Sequence, residues 1–207
     1  MGLDMTVLIA DRAWLDEVPP GERLERLRDA WYDDATGLWD PDREPLDSGW
    51  ERPDGPHADR FDVYEFPHGA SFKAHFWAGI RWEHCREHVD PRLREPLDTL
   101  LGGLFWDGTD GEAEHVDPEV FGDGPGTYGL LLARSPDRVR ELAAIWAELT
   151  KGPDGGLRAV RPAHDEHAAD PHGRIGDLPA FERLLGDWGR ILTEAARRGW
   201  VVVGLSE

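Results

Sequence analysis

The chain has 207 residues, of which 40% are hydrophobic and 10% aromatic, with ten tryptophans; that supplies a sizeable core and argues against disorder. The formal net charge is −19, so the basic footprint that nucleic acid or an anionic membrane surface needs is missing, whereas a basic protein or a cation would be attracted. Cys85 is the one cysteine, which excludes an internal disulfide framework and fits a reducing cytoplasm.

No stretch is long and apolar enough to span a bilayer. The start, MGLDMTVLIAD, lacks a basic flank and a long apolar run, so it does not read as a secretory signal. Met5–Ala10 is apolar and β-branched and predicts the first strand. Pro19-Pro20-Gly21 breaks the chain. Glu22–Tyr32 predicts an amphipathic helix with Leu24, Leu27 and Trp31 on one face. Residues 33–60 are rich in Asp, Pro and Gly, with Leu38, Trp39, Leu46 and Trp50 as the only apolar anchors. That composition predicts a long surface insertion with little regular structure. Within it Asp40, Asp42 and Glu44 alternate, and Glu51 falls where a calcium loop has its bidentate glutamate. Pro45 stands in the place of the required glycine, so the pattern fails there.

Phe61–Phe66 alternates and predicts a strand. Phe72–Cys85 is apolar and its periodicity is ambiguous. The spacing of Trp77, Ile80, Arg81 and His84 favours a helix from about Phe76. Asp90-Pro91 starts another helix, with Leu93, Leu97, Leu100 and Leu101 on its apolar side and a C-cap at Gly102-Gly103. An acidic, glycine-rich loop follows, over 107–126.

Thr127–Thr150 is the stretch around which the rest is organised. Tyr128–Ala133 is a short apolar run. Ser135 is an N-cap, Pro136 suits the first helical position and Asp137 faces the positive end of the helix dipole. Val139, Leu142, Ala143 and Trp146 then recur at helical spacing. Residues 152–178 are polar, hold three histidines and read as a second loop-like insertion. Pro179–Arg198 is an amphipathic helix with Phe181, Leu184, Leu185, Trp188, Leu192 and Ala195 as its stripe, stopped by Gly199. Trp200–Leu205 predicts a buried strand. Together these predict one α+β domain over 1–207, a mixed β-sheet covered by amphipathic helices with two long polar insertions. Leu142, Trp146, Leu184, Trp188 and Val202 should share one core.

Three constellations could carry chemistry. On a helix, His84 and His88 share a face and could bridge a metal, although Cys85 stands where a zinc-protease motif has glutamate. His164-Asp165-Glu166-His167, with Asp170 and His172, could supply further ligands. Solvated polar surface is the simpler explanation of both clusters. The glycines of Gly122–Gly126 precede a strand rather than a helix, and Asp123 would repel phosphate, so no cofactor-binding residue is assigned. No serine or threonine sits in a nucleophile-elbow context, and no catalytic residue is assigned. Cys85 does not face its sequence neighbour His84 on a helix.

The opening Met1-Gly2 into a strand, the run from Tyr128 and Leu130 to Pro136-Asp137-x-x-Val139, and the ending Ala195-Ala196-Arg197-Arg198-Gly199 with Val201–Val203 resemble the YfbM-like family of uncharacterised bacterial proteins. The resemblance covers the termini and roughly the second half. It implies a single α+β domain and no activity; 33–60 and 152–178 are departures from the shorter family pattern. Two functions follow as expectations. The first is a non-catalytic binding protein, such as an acidic antitoxin or immunity-like protein that neutralises a basic effector. The second is a metal-dependent hydrolase holding its metal with His84, His88, His164 and His167, with Glu87 or Glu166 as base.

Overall fold

A computed structural model describes residues 3–40, 42, 46–111, 113–122, 128–151, 156–170 and 175–206. The strands are β1 (Thr6–Ala10), β2 (Gly49–Glu51), β3 (Phe61–Glu65), β4 (Leu130–Arg134) and β5 (Val201–Leu205). The helices are α1 (Arg12–Leu15), α2 (Arg23–Trp31), α3 (Lys73–Cys85), α4 (Pro91–Gly102), α5 (Pro118–Phe121), α6 (Pro136–Leu149), α7 (Arg161–His167) and α8 (Leu178–Arg198). The strands form one sheet in the order β2-β3-β1-β5-β4, and the fold is α+β.

The ladders are all antiparallel, where a mixed sheet was expected. Among the described residues, parallel pairing is confined to an isolated bridge between Val116 and Ala133. The reason lies in the connection from β4 to β5. A single helix between them would return the chain parallel, but α6, the short α7 and the long α8 all intervene.

Side-chain alternation gives the sheet two covered faces. Val7, Ile9, Tyr64 and Val202 enter one cluster, with residues of α3, α4, α6 and α8. Leu8, Ala10, Phe61, Val63, Val201 and Val203 enter another, with residues of α1, α2 and α5. Leu142, Leu184, Trp188 and Val202 are buried in the first, and Trp146 packs against it, partly buried. α6 and α8 approach closely where Trp146 lies over Gly189, at which a Cβ would stand 2.1 Å from the indole. Ser135 caps α6 by accepting from the Arg138 N–H.

Several boundaries and surfaces differ from expectation. α3 starts at Lys73, and its buried line is Ala74, Ala78, Trp82 and Cys85, while Phe76 and Trp77 are exposed. Gly103 is right-handed, with φ −73. Its missing side chain admits Leu142, whose methyls would lie under 3 Å from a Cβ there. The 33–60 segment is not all loop. Gly49–Glu51 pairs with β3 as the sheet's edge, because Trp50 packs edge-on against Tyr64 at 5.0 Å. The described part of 152–178 is not all loop either. A 3₁₀ stretch, Gly156–Val160, runs into α7. Leu157, Val160, Ala163 and Ala168 are buried in the core, so a few apolar anchors suffice to order a polar sequence. Glu44 and Pro45 of the calcium-loop pattern, the Asp123–Gly126 glycine run and His172 lie outside the described residues.

Candidate functional site

The histidines do not assemble as the helical spacing suggested. α3 ends at Cys85, and Arg86–His88 tightens into a 3₁₀ turn. His84 and His88 therefore lose the helical i,i+4 relation, because a 3₁₀ turn has a different angular step. Both are exposed. His88 instead meets His167: their rings stack with centroids 3.6 Å apart and planes 16° apart. The ring lone pairs lie in those near-parallel planes, so they do not converge on one ion as tetrahedral coordination requires. His164 is buried under Phe181, and burial holds its imidazole below the usual range. Among the described residues, no three His, Cys, Asp or Glu side chains are grouped to hold a metal. Glu87 is occupied by Arg86 and Arg94, and Glu166 lies 3.8 Å from His167. Cys85 is buried, and burial pushes its thiol up to about 12, which keeps it protonated and inert.

A different surface stands out at the C-terminal end of α2. Trp31 is anchored in the core on the α2 side of the sheet. Asp33 accepts from the Ala35 N–H and caps the turn Asp34–Thr36. Gly37, with φ 65, then reverses the chain. That reversal brings Trp39 back onto α2, where its indole N–H donates to the Trp31 carbonyl at 2.7 Å. Trp39 stacks on Tyr32, with centroids 5.2 Å and planes 22° apart. Tyr32 remains 52% and Trp39 45% exposed. Arg28, one turn before Tyr32, donates to the Tyr128 carbonyl, so a third exposed aromatic reaches the same end of the helix.

Carboxylates flank this aromatic step in the chain. Asp29, Asp34, Asp40 and Asp42 are exposed and form no ion pair among the described residues. Along α2 lies a cleft of about 400 Å³ that Glu22, Glu25, Asp29 and Asp33 line. Its wall is Trp14, already covered by the Arg26 guanidinium at 4.8 Å from the ring centre. The cleft thus pairs an arginine with an aromatic face among acids using its own residues. Asp33 is held below the usual carboxylate range, first by the Ala35 N–H and then by His57, so it is ionised at neutral pH.

The sequence reading used Trp39 as an anchor and did not see it as a surface. The available signal was a tryptophan within an aspartate-rich run, eight residues after Trp31. Among the described residues no helix is long and apolar enough to cross a membrane. No family model matches the chain, no curated protein matches it, and no solved structure matches it.

Proposed function

We propose that this chain is a non-catalytic binding protein whose acidic, aromatic face around Tyr32 and Trp39 receives an arginine-rich segment of a basic protein. An acidic antitoxin or immunity-like protein acting in the cytoplasm is its specific form, and the YfbM-like resemblance, which names no activity, is part of the same proposal. The single observation that carries it is the exposed Tyr32–Trp39 stack, flanked in the chain by aspartates that form no ion pair among the described residues. Guanidinium groups stack on aromatic faces and pair with carboxylates, so this surface offers both contacts at once. The net charge of −19 adds long-range attraction and speeds encounter with a basic partner.

The test is titration of the protein with a labelled oligoarginine peptide near physiological salt, followed by anisotropy. Tyr32→Ala and Trp39→Ala leave the net charge unchanged, so they separate the site from bulk attraction. Two exposed cation–π contacts are worth about 1–2 kcal/mol together, so the double substitution should weaken binding roughly five- to thirtyfold. Equal affinity for both proteins would show that only the overall charge attracts the peptide.

The metal-dependent hydrolase is the competing reading, and it would need His88 and His167, which are stacked, to turn their ring nitrogens toward one ion. Stoichiometric zinc or manganese in the purified protein, abolished by His88→Ala, would favour it over the binding protein.

A further inference from the structure

A second cleft, of about 560 Å³, lies on the other side of the sheet's edge, between the turns flanking β2 and β3 and the exposed face of α8. Its chemistry differs from the acidic face. Arg183 and Arg190 both line it, two turns apart on α8, with Glu182, Asp187 and Ser48 also in the wall. Two arginines so placed are unusual in a chain where most cations are paired. The Arg183 guanidinium makes no hydrogen bond or ion pair among the described residues.

Arg190 is 67% exposed, yet one end of its guanidinium is held from beneath. Tyr64, buried in β3, donates its hydroxyl proton to Asp187 Oδ1 at 2.8 Å. The Arg190 Nη1 donates to the same oxygen at 3.1 Å and to the Tyr64 hydroxyl at 3.4 Å. Burial pushes Tyr64 up to about 12, so it stays a donor to the carboxylate. Asp187 is itself buried. The buried pair therefore fixes Nη1 and leaves the Nε and Nη2 edge without a partner among the described residues. That edge carries two parallel N–H bonds, the fork that recognises a carboxylate or phosphate bidentately.

An independent feature lies between the two arginines. Gly186 occupies an interior position of α8, where glycine is less favourable than alanine. Packing does not require it: a Cβ there would meet nothing within 4 Å. Gly189, one turn on, differs, because Trp146 needs the space. Gly186 lines the cleft, and its missing side chain keeps the floor between Arg183 and Arg190 bare.

We infer that this cleft binds a small molecule through an oxyanion group, a carboxylate or a phosphate, seated on the free edge of Arg190 with Arg183 as a second contact. Asp187 and Tyr64 act as positioning residues for Arg190. Glu182 and Asp187 balance the two arginines, so the site accepts an anionic group without becoming a general anion sink.

The test follows the Arg190 Nε–H and Gly186 N–H resonances while the intact chain is titrated with inorganic phosphate and, separately, with succinate. A saturable shift of both resonances with either probe is expected, and the tighter probe identifies the source of the oxyanion. Arg190→Lys keeps the charge but loses the fork, and should weaken binding roughly tenfold. Gly186→Ala should weaken binding while raising the melting temperature, an opposite pair that a purely structural glycine would not give. Arg183→Gln should weaken binding to a smaller extent. Non-saturating shifts with both probes, or equal shifts at exposed Arg140, would overturn the inference. So would a Gly186→Ala protein with unchanged affinity.

Discussion

His75 offers a sharp test of how burial couples to protonation. It lies on α3, fully buried among Phe66, Phe72, Phe105 and Trp188, with ring centroids between 5.0 and 6.3 Å across this nest. Neither of its ring nitrogens has a hydrogen-bond partner in the protein. Desolvation lowers its pKa from 6.5 to about 3, with His68 adding a smaller push in the same direction. A histidine lowered in this way binds fewer protons folded than unfolded. Stability is therefore lost as pH falls below 6.5, and the loss levels off near 3. Between pH 7 and pH 4 this one group should remove about 3 kcal/mol, taking about 1.4 kcal/mol for each unit traversed. That is a large part of the 5–15 kcal/mol typical of a folded domain. His75→Phe keeps a ring in the nest and removes both unpaired nitrogens. Its slightly larger volume can cost ~1–3 kcal/mol at neutral pH, so the slope with pH decides, not the level. Urea unfolding of both proteins at pH 7, 5.5 and 4 measures it. The variant should lose about 3 kcal/mol less than the parent over that range. Parallel curves would refute the reasoning and show that the imidazole has a partner or a path to water.

Asp62 should behave in the opposite sense. Burial holds it above the usual carboxylate range despite Arg198 at 2.9 Å and Arg52 at 3.7 Å. It binds its proton more tightly when folded, so it lowers stability as pH rises from 3.8 through its folded pKa. Arg198→Met should cost about 3–5 kcal/mol at pH 7, because it leaves a buried carboxylate with only the more distant Arg52, and clearly less at pH 4; an equal cost at both values in urea unfolding would remove the ion pair from the account. Gly189→Ala should destabilise by ~1–3 kcal/mol or more through the clash with Trp146. Adding Trp146→Leu should recover part of that loss in thermal melts, and additive losses would mean that the two helices do not meet there.

Local signals served well wherever one short stretch contains all of its own determinants. Ser135 and Pro136 start α6 because the cap bonds and the proline's missing N–H are settled within one turn. The α8 stripe and Gly199, which adopts φ 70, end and orient that helix for the same reason. Signals failed where a distant partner decides. Trp50 makes β2 a strand only because Tyr64 lies opposite. His164 lies in a helix because Leu157, Val160 and Ala163 found a core to enter. Sequence spacing brought His84 and His88 together on paper, while a change from α to 3₁₀ winding at Arg86 separated them.

The candidate surfaces divide in the same way. Net charge and the abundance of aspartate are sums over residues, so the chain alone determined the acidic character from which the proposed basic partner is argued. The hydrophobic periodicity of its strands and helices likewise determined an α+β fold. The placing of Trp39 at the surface depended on the return of the chain at Gly37, and the fork of Arg190 depended on Tyr64, a residue 126 positions away. Antiparallel pairing of β4 with β5 depended on a connection through α6, α7 and α8 rather than through a single crossover helix. Each is a contact between segments far apart in sequence, whose closure is favourable only once the whole core has formed to repay its entropy.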